Sequence, residues 1–515
     1  MSEPCTLIEC FERAAGRASL GVRFVGRSLR APDTHHTYAD IAERALGLAG
    51  GLRAIGICPG DRVAIARPTG VGFYEAFFGT LLAGAVPAPL PLPRRFGPRT
   101  DYVCTTARML HACGARLALA SERTFSAVSE AAVELELGAR LTLPARTLSP
   151  PTVHPQSLAL VQFTSGTTSA PKPIGLTHEQ LLANVRAILK AFVAASEGDG
   201  FEHSGLSWLP LYHDMGLVGS LLTAIVHPGP LTLMAPELFV SRPASWLQTI
   251  SKVRASVSAA PHFAYAFCVD RVRDEELAGV DLSSWRLALD GAETVTPRTL
   301  ERFYERFRHY GLREEAVTPV YGLAEAGLAV TFSDPRRRFR VLRDDGSRGR
   351  DLVSAGRPLD GFEVRIQAGR VLVRGPSVVS GYWGQPDTRE DGWLDTGDEG
   401  FLEDGELYMT GRDSDKIVLR GANYPPELFE EALEHASGLR PGSVAACGVV
   451  TDAGEELCIL AEIGPGAADV KSIEALLAER TGFVPKQVLL LDPGTLPRTS
   501  SGKIRRGEAA KRFLP

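Results

Sequence analysis

A run of hydroxyl side chains with one glycine and one lysine follows a short apolar segment in the first third of the chain. Residues 163–172 read FTSGTTSAPK, directly after LALVQ. Hydroxyl groups, backbone N–H groups beside a glycine and an ammonium are donors that can hold phosphate. The stretch therefore indicates a phosphate-binding loop, while a polar surface turn remains the alternative because loops have the same composition.

Two prolines separate this loop from the common nucleotide-binding pattern G-x-x-x-x-G-K-S/T. Pro171 stands at the second glycine, and Pro173 stands at the Ser/Thr position. Proline has no N–H, and it biases the residue before it away from helix, so no helix should begin here. The predicted phosphate donors are Thr164, Ser165, Gly166, Thr167, Thr168, Ser169 and Lys172.

Further stretches contain carboxylates, glycines and one lysine in fixed order along the chain. They are WLPLYHDMGL (208–217), LDGAETV (289–295), YGLAEAG (321–327), WLDTGD (393–398), GRDSDKIVLRGANYPPELFE (411–430) and LPRTSSGKIRR (496–506). Each stretch alone is a modest signal. The ordered set is far more specific.

The elements that must position these residues alternate between helices and short strands. Residues 36–57 have the apolar spacing of a helix, RVAIAR is typical of a strand, and GFYEAFFGTLLAGA predicts another helix. This alternation favours α/β layers. The prolines between Pro87 and Pro98 predict a rigid crossing inside one domain.

The clearest change in pattern along the chain follows GELYMTGRDSDK. Beyond it, about 100 residues predict a helix, two strands, a helix, a strand and a last helix, which is a small α+β domain. We therefore expect a body at 1–411 and a second domain at 412–515.

Composition bounds the class of protein. A chain of 515 residues is too long for one core, and 44% apolar and 23% charged residues are ordinary values for a globular protein. The net charge of −5 gives no reason to expect a nucleic-acid partner. No apolar run predicts a membrane span, and the eight scattered cysteines, without a C-x-x-C pair, predict a cytoplasmic protein.

Taken together and in order, the motifs closely resemble the adenylate-forming superfamily of acyl-CoA synthetases, peptide-synthetase adenylation domains and luciferases. Within that superfamily, the stretches FFGTLLAGAVPAPLPLP, SAAPHFAYAFCVDRV and DGAETV are most similar to those of the fatty acyl-AMP ligases. The resemblance implies a large multi-layer N-terminal α/β body with a small mobile α+β lid. It also implies a ligase that joins a carboxylic acid to AMP from ATP, releases pyrophosphate, and passes the acyl group to a thiol in lipid or natural-product biosynthesis.

The resemblance also implies roles for individual residues. Lys503, Glu325, Thr167 and Lys172 would be catalytic, with Glu325 binding Mg²⁺. ATP or AMP would contact Thr164, Ser165, Gly166, Thr168, Gly291, Ala292, Glu293, Tyr321, Gly322, Asp398 and Arg412. The acid would contact Trp208, His213 and Phe263, with Tyr265 and Phe267 as further apolar surface. Ser414 would be the hinge between body and lid.

Several residues depart from the family pattern. Ser169 and Pro173 stand where many members have glycine, and Ser414 stands where Asp or Lys is common. Only about 25 residues separate Leu328 from SAGRPL, where fatty acyl-AMP ligases carry a long insertion associated with excluding coenzyme A. The thiol acceptor is therefore open between an acyl carrier protein and coenzyme A. A third possibility is a member that binds acyl-adenylates or partner proteins without adenylating.

Overall fold

The computed structural model describes most of the chain. The described residues are 3–26, 31–93, 99–133, 135–164, 172–195, 203–344, 350–412, 416–419, 422–434, 436–451, 454–464, 466, 468–499 and 502–514. Within them, no helix has both the length and the apolar character needed to cross a lipid bilayer.

The α-helices are numbered along the chain. They are α1 Leu7–Ala15, α2 Tyr38–Ala54, α3 Val71–Leu82, α4 Arg99–Cys113, α5 Glu122–Val133, α6 His178–Ala195, α7 Asp214–Gly216, α8 Thr223–Val226, α9 Pro236–Ser241, α10 Ala244–Val253, α11 His262–Arg271, α12 Pro297–Phe307, α13 Pro426–Leu433, α14 Val470–Thr481 and α15 Arg506–Phe513. Leu217–Leu222 forms a π-helix between α7 and α8, and Ala324–Ala326 forms a single 3₁₀ turn.

The strands are numbered in the same way. They are β1 Gly21–Phe24, β2 Thr34–Thr37, β3 Arg62–Ala66, β4 Val86–Pro89, β5 Ala115–Ala120, β6 Gly138–Arg140, β7 Leu158–Phe163, β8 Pro173–Thr177, β9 Gly205–Ser207, β10 Leu231–Leu233, β11 Val257–Pro261, β12 Leu287–Gly291, β13 Val317–Gly322, β14 Ala329–Phe332, β15 Val341–Leu342, β16 Leu352–Val353, β17 Arg357–Pro358, β18 Glu363–Gln367, β19 Arg370–Arg374, β20 Leu394–Glu403, β21 Glu406–Arg412, β22 Ile417–Leu419, β23 Ala422–Tyr424, β24 Leu439–Thr451, β25 Gly454–Ile463 and β26 Gln487–Leu491.

A nine-stranded sheet organises the large part of the molecule, in the order β17-β14-β13-β12-β11-β9-β10-β1-β2. Its central strands from β13 to β1 run parallel, and antiparallel strands close both edges. Parallel sheets need both faces covered, and the apolar clusters that pack on this sheet supply that cover. The helix–strand alternation in the sequence predicted this arrangement.

The proline-rich stretch after α3 differs from its prediction. Its first part, β4, is a strand at one end of a four-stranded parallel sheet with the order β4-β3-β5-β6. Proline cannot donate a ladder hydrogen bond, which edge positions tolerate. Pro87 and Pro89 therefore fit a strand whose outer side has no partner strand in this sheet.

The last part of the chain forms a small α+β unit as the sequence predicts. Strands β24 and β25 pair in antiparallel orientation, and β26 pairs with β25 in parallel orientation. The same unit contains the helices α13, α14 and α15. Gly482 ends α14 in the left-handed conformation (φ 75°), which glycine adopts without strain. The antiparallel sheet β18-β19-β20-β21 precedes this unit, and β21 ends at Arg412.

Candidate active site

Three neighbouring parallel strands end at the same edge of the large sheet and bring distant motifs together. His262 and Phe263 follow β11, Ala292 and Glu293 follow β12, and Gly322 ends β13. All of them line one cavity of about 590 Å³. Ligands in open α/β sheets bind at the carboxyl ends of the strands, which explains why motifs 30 or more residues apart converge here.

Close backbone approach at this edge requires glycine. A Cβ atom on Gly322 would lie 1.8 Å from the carbonyl oxygen of Leu328, and one on Gly291 would lie 2.8 Å from Val320. Ala292, the next residue, has a φ of 69°, which is uncommon without glycine and typical of a functional turn. The 291–293 backbone is therefore held in an unusual path along the cavity wall.

Asp398 also lines this cavity, and both of its carboxylate oxygens accept hydrogen bonds. The Tyr321 hydroxyl donates to Oδ2 at 2.8 Å, and Arg412 Nε donates to Oδ1 at 2.7 Å. Asp398 and Arg412 are register partners on β20 and β21, so the sheet itself sets this pair. Burial, reinforced by Asp398, raises the pKa of Tyr321 well above its usual range, so the phenol stays protonated and can donate.

Glu325 lies in the 3₁₀ turn that follows β13. Its Oε1 accepts a hydrogen bond from the Tyr382 hydroxyl at 3.2 Å. Burial raises the pKa of Glu325, and the hydrogen bonds that it accepts oppose that shift only in part. A desolvated carboxylate of this kind is stabilised by a cation.

Lys503 enters the cavity from the small α+β unit. Its loop is closed by Thr499, whose N–H donates to the Lys503 carbonyl at 2.6 Å and whose Oγ1 accepts from the Lys503 N–H at 3.1 Å. Burial lowers the pKa of the Lys503 ammonium, and the carboxylates of Glu293 and Asp214 act in the opposite direction. One lysine of the small unit thus faces carboxylates of the body.

The phosphate-loop residues that are described stand at the base of that loop. The Thr164 N–H donates to the Lys172 carbonyl at 3.0 Å, which joins the ends of β7 and β8. Thr164 lines the cavity, and Lys172 Nζ lies 4.5 Å from the centroid of the Tyr382 ring. The chain continues from this point as a strand, as expected from Pro173. Six predicted residues fall outside the described part of the chain: Ser165, Gly166, Thr167, Thr168, Ser169 and Ser414.

The residues predicted to contact the acid are not all on the cavity wall. His213 and Phe263 line the cavity. Trp208 is 3% exposed and stacks on Phe239 with ring centroids 4.0 Å apart, and it meets Phe263 edge-on at 6.3 Å. Trp208 therefore packs against Phe263 on the side away from the cavity and does not line the cavity itself. Tyr265 is fully buried, with its hydroxyl on the Leu289 carbonyl.

Sequence reasoning missed several polar groups of the site. His262 Nδ1 lies 2.6 Å from Asp290 Oδ2, and its Nε2 lies 3.0 Å from Thr296 Oγ1. Gln162 donates to the Tyr212 carbonyl at 2.8 Å. His262 and Gln162 lie in or beside the quoted stretches, but only the fold shows that their side chains line the cavity.

An apolar region of the same cavity extends between α6 and the large sheet. Its lining side chains are Ile188, Phe192, Val320, Leu328 and Phe332. Phe192 and Phe332 approach with ring centroids 6.4 Å apart. One cavity thus combines a charged end, around Asp398, Glu325 and Lys503, with an apolar end.

A family model described as AMP-binding enzyme matches residues 11–383. Because this match covers well over half of the chain, the chain belongs to the AMP-binding enzyme family. The resemblance inferred from the ordered motifs is thereby confirmed.

Two curated relatives have similar length. The chain is 32% identical over 527 residues to the 4-hydroxyphenylalkanoate adenylyltransferase of Mycobacterium tuberculosis, with 88% of this chain and 82% of that protein covered. It is also 32% identical over 542 residues to JamA of Moorena producens, a medium-chain-fatty-acid acyl-carrier-protein ligase, with 93% and 90% covered.

A solved structure from work on the fatty acyl-adenylate ligases of E. coli and L. pneumophila matches with a TM-score of 0.89 at 32% identity, covering 99% of this chain and 97% of that one. The expected fold class is therefore confirmed: a large α/β body with a small C-terminal unit. The chain is a ligase that uses ATP to convert a carboxylic acid to its acyl-adenylate, and the acyl group then passes to a thiol acceptor.

Proposed function

We propose that this ligase activates an apolar carboxylic acid and delivers it to the phosphopantetheine thiol of an acyl carrier protein. The observation that carries the proposal is the single cavity whose charged end continues into the apolar region between α6 and the sheet. A fatty or aryl-alkyl chain fits that lining, because burying it there removes apolar surface from water. JamA, named as an acyl-carrier-protein ligase, supports the choice of acceptor.

In the proposed reaction, a carboxylate oxygen of the acid bonds to the α-phosphorus of ATP. The bond from that phosphorus to the bridging oxygen breaks, and pyrophosphate leaves. Both reactants are anions, so catalysis must position them and neutralise charge. Lys503 would hold the acid carboxylate and the α-phosphate, while Lys172 and the loop hydroxyls would hold the leaving pyrophosphate.

The nucleotide would lie along the strand-end wall. Asp398, already fixed by Tyr321 and Arg412, has remaining lone pairs for the two ribose hydroxyls. The backbone at 291–293 would contact the edge of adenine, with the Tyr321 ring and Gly322 beside its face. His213 and Phe263 would contact the acid near its carboxylate.

Glu325 fits a magnesium ligand. Its carboxylate is desolvated, and no cluster of three or more His, Cys, Asp or Glu side chains suited to a metal occurs among the described residues. Mg²⁺ is commonly held by one or two carboxylates together with phosphate oxygens and water. When bound, the ion would neutralise the charge of the pyrophosphate group.

We further propose that residues 412–515 form a lid that turns about Ser414 between adenylation and thiol transfer. The lid contacts the body through Arg350 and Glu431, whose Nη1 and Oε1 lie 2.6 Å apart, and through Thr299 and Glu434. Proline fixes the backbone dihedral that a hinge must change. Ser414→Pro should therefore keep acid-dependent pyrophosphate exchange and lose most acyl transfer; full transfer would remove Ser414 as the hinge.

The cysteines support the further proposal that the protein works in the cytoplasm, because all eight are free thiols.

The experiment that tests the function is acid-dependent ATP–pyrophosphate exchange over fatty, aryl-alkyl and small polar acids. Exchange with apolar acids alone, followed by acyl transfer to a holo-carrier protein and none to coenzyme A, is the expected result. Transfer to coenzyme A would favour the acyl-CoA ligase alternative. That alternative is motivated by the short segment after Leu328, where fatty acyl-AMP ligases carry a long insertion. Exchange with polar acids alone would contradict the proposed substrate class.

A further inference from the structure

Tyr382 contacts two residues to which the proposed function gives separate roles. It lies between β19 and β20, lines the cavity and is half-buried. Its hydroxyl donates to Glu325 Oε1 at 3.2 Å, and the face of its ring lies 4.5 Å below Lys172 Nζ. One side chain thus touches both the predicted metal ligand and the predicted phosphate-binding lysine.

The backbone around Tyr382 is tied to the same two places. The Trp383 N–H donates to the Pro173 carbonyl at 2.8 Å, next to Lys172, and the Val379 N–H donates to the Glu325 carbonyl at 2.9 Å. The Trp383 ring also covers Gly175, where an added Cβ would lie 2.7 Å from the ring. These contacts fix the position of Tyr382 relative to the end of the phosphate loop and to the 3₁₀ turn.

We propose that Tyr382 is a positioning residue that keeps Lys172 and Glu325 apart and oriented for pyrophosphate and Mg²⁺. The inference rests on the proposed roles of those two residues. An ammonium and a desolvated carboxylate attract each other strongly in a site of low dielectric constant. The ring face gives the ammonium an alternative partner, and the phenol gives the carboxylate another.

The phenol remains a donor throughout the working pH range. Burial, followed by the charge of Glu325, raises the pKa of Tyr382 to about 12. The Tyr382 hydroxyl therefore keeps its hydrogen for the bond to Glu325. Tyr382 contributes by holding the charges of Lys172 and Glu325 in place beforehand, so that these side chains need not rearrange when substrate binds.

Two variants separate the two contacts. Tyr382→Phe keeps the ring under Lys172 and removes the hydrogen bond to Glu325, whereas Tyr382→Leu removes both. The control is Tyr310→Phe, whose hydroxyl bonds Asp274 at 3.1 Å and which does not line the cavity. All three are measured by calorimetry for pyrophosphate and AMP affinity, and by the Mg²⁺ dependence of ATP–pyrophosphate exchange.

Tyr382→Phe should raise the Mg²⁺ concentration for half-maximal exchange by about fivefold, the scale of one lost hydrogen bond. Tyr382→Leu should in addition weaken pyrophosphate binding by about threefold or more, the scale of one cation–π contact. AMP affinity should stay at the Tyr310→Phe value. Equal loss of pyrophosphate and AMP binding would indicate general damage and overturn the inference, as would unchanged Mg²⁺ dependence in both variants.

Lys172→Met and Glu325→Gln distinguish this inference from the function on which it rests. If these two variants leave pyrophosphate affinity and Mg²⁺ dependence unchanged, the proposed roles of Lys172 and Glu325 are wrong, and the inference about Tyr382 falls with them. If they change both quantities and the Tyr382 variants do not, only the positioning role fails. Adding Tyr382→Phe to Glu325→Gln should produce no further change in Mg²⁺ dependence; an additive effect would contradict coupling through Glu325.

Discussion

The body and the lid contribute to the same cavity in different ways. Body groups are held by the ends of parallel strands and by short hydrogen bonds, such as the one that Asp398 accepts from the Tyr321 hydroxyl. Lys503 instead reaches the cavity on a loop that is closed on itself by Thr499. Its position relative to the body depends on docking contacts such as Arg350 with Glu431.

This difference suggests a division of labour between the two regions. Body groups are in place before substrate arrives, so their loss should weaken nucleotide binding or metal use directly. If the lid turns as proposed, Lys503 is in place only while the lid is docked in this pose. Its loss should affect the step that this pose serves and leave the other step intact.

The largest effect expected within the body is that of Glu325→Ala. Loss of the buried carboxylate should lower magnesium-dependent pyrophosphate exchange by about 10³-fold, the upper range for removing one preorganised charged contact. Glu325→Gln, which keeps the shape and loses the charge, should fall nearly as far. Near-normal exchange by either variant at saturating Mg²⁺, with unchanged thermal unfolding, would remove Glu325 from the metal role.

Asp398→Ala should have a smaller effect that is confined to the nucleotide. We expect the KM for ATP to rise about tenfold and the KM for the acid to change little, since a charge-assisted hydrogen-bond pair contributes roughly 1.5–3 kcal/mol. The matched control is Asp395→Ala on the same strand, whose carboxylate pairs with Arg370 and is 51% exposed. An unchanged KM for ATP in Asp398→Ala would show that the ribose is held elsewhere.

The smallest expected effect concerns the docking surface. Burial, opposed by Arg350, raises the pKa of the Glu431 carboxyl to about 7. A carboxyl with a raised pKa takes up a proton on docking, so docking is favoured at low pH and weakens as the pH rises through about 7. Adenylation should therefore fall a few-fold between pH 6 and 8 in the parent protein.

Glu431→Gln is uncharged at every pH, like the protonated carboxyl. Its adenylation rate should therefore have a flatter pH profile over the same range. Glu479→Gln, an exposed change on α14, should keep the parent profile. Identical profiles for the parent and Glu431→Gln would show that this carboxyl does not affect docking.

The sequence predicts the body site better than its surroundings. Gly291, Glu293 and Tyr321 lie in motifs at or near strand ends, so the motif order and the α/β alternation together place them at one edge of the large sheet. Tyr382 could not be found in this way, because its importance comes from contacts with residues 57 and 210 positions away. Those contacts depend on how the β19–β20 connection packs, which no local pattern encodes.

The positions of Trp208 and of the prolines in β4 differ from the predictions made for them. Trp208 follows β9 and was expected at the acid, but stacking on Phe239 keeps it behind Phe263. The prolines of β4 were expected to cross between elements, yet an edge position lets them pair on one side. In both cases tertiary packing decided between conformations that the local sequence allows.

The central claim is that Lys503 serves adenylation from a docked lid, while nucleotide binding rests mainly on body residues such as Asp398. The direct measurement is the rate of both half-reactions in Lys503→Ala, using acid-dependent pyrophosphate exchange and transfer from chemically prepared acyl-adenylate to a holo-carrier protein. The account predicts a loss of about 10²-fold or more in exchange, with transfer close to that of the parent protein. Equal loss of both steps, or full retention of exchange, would contradict it.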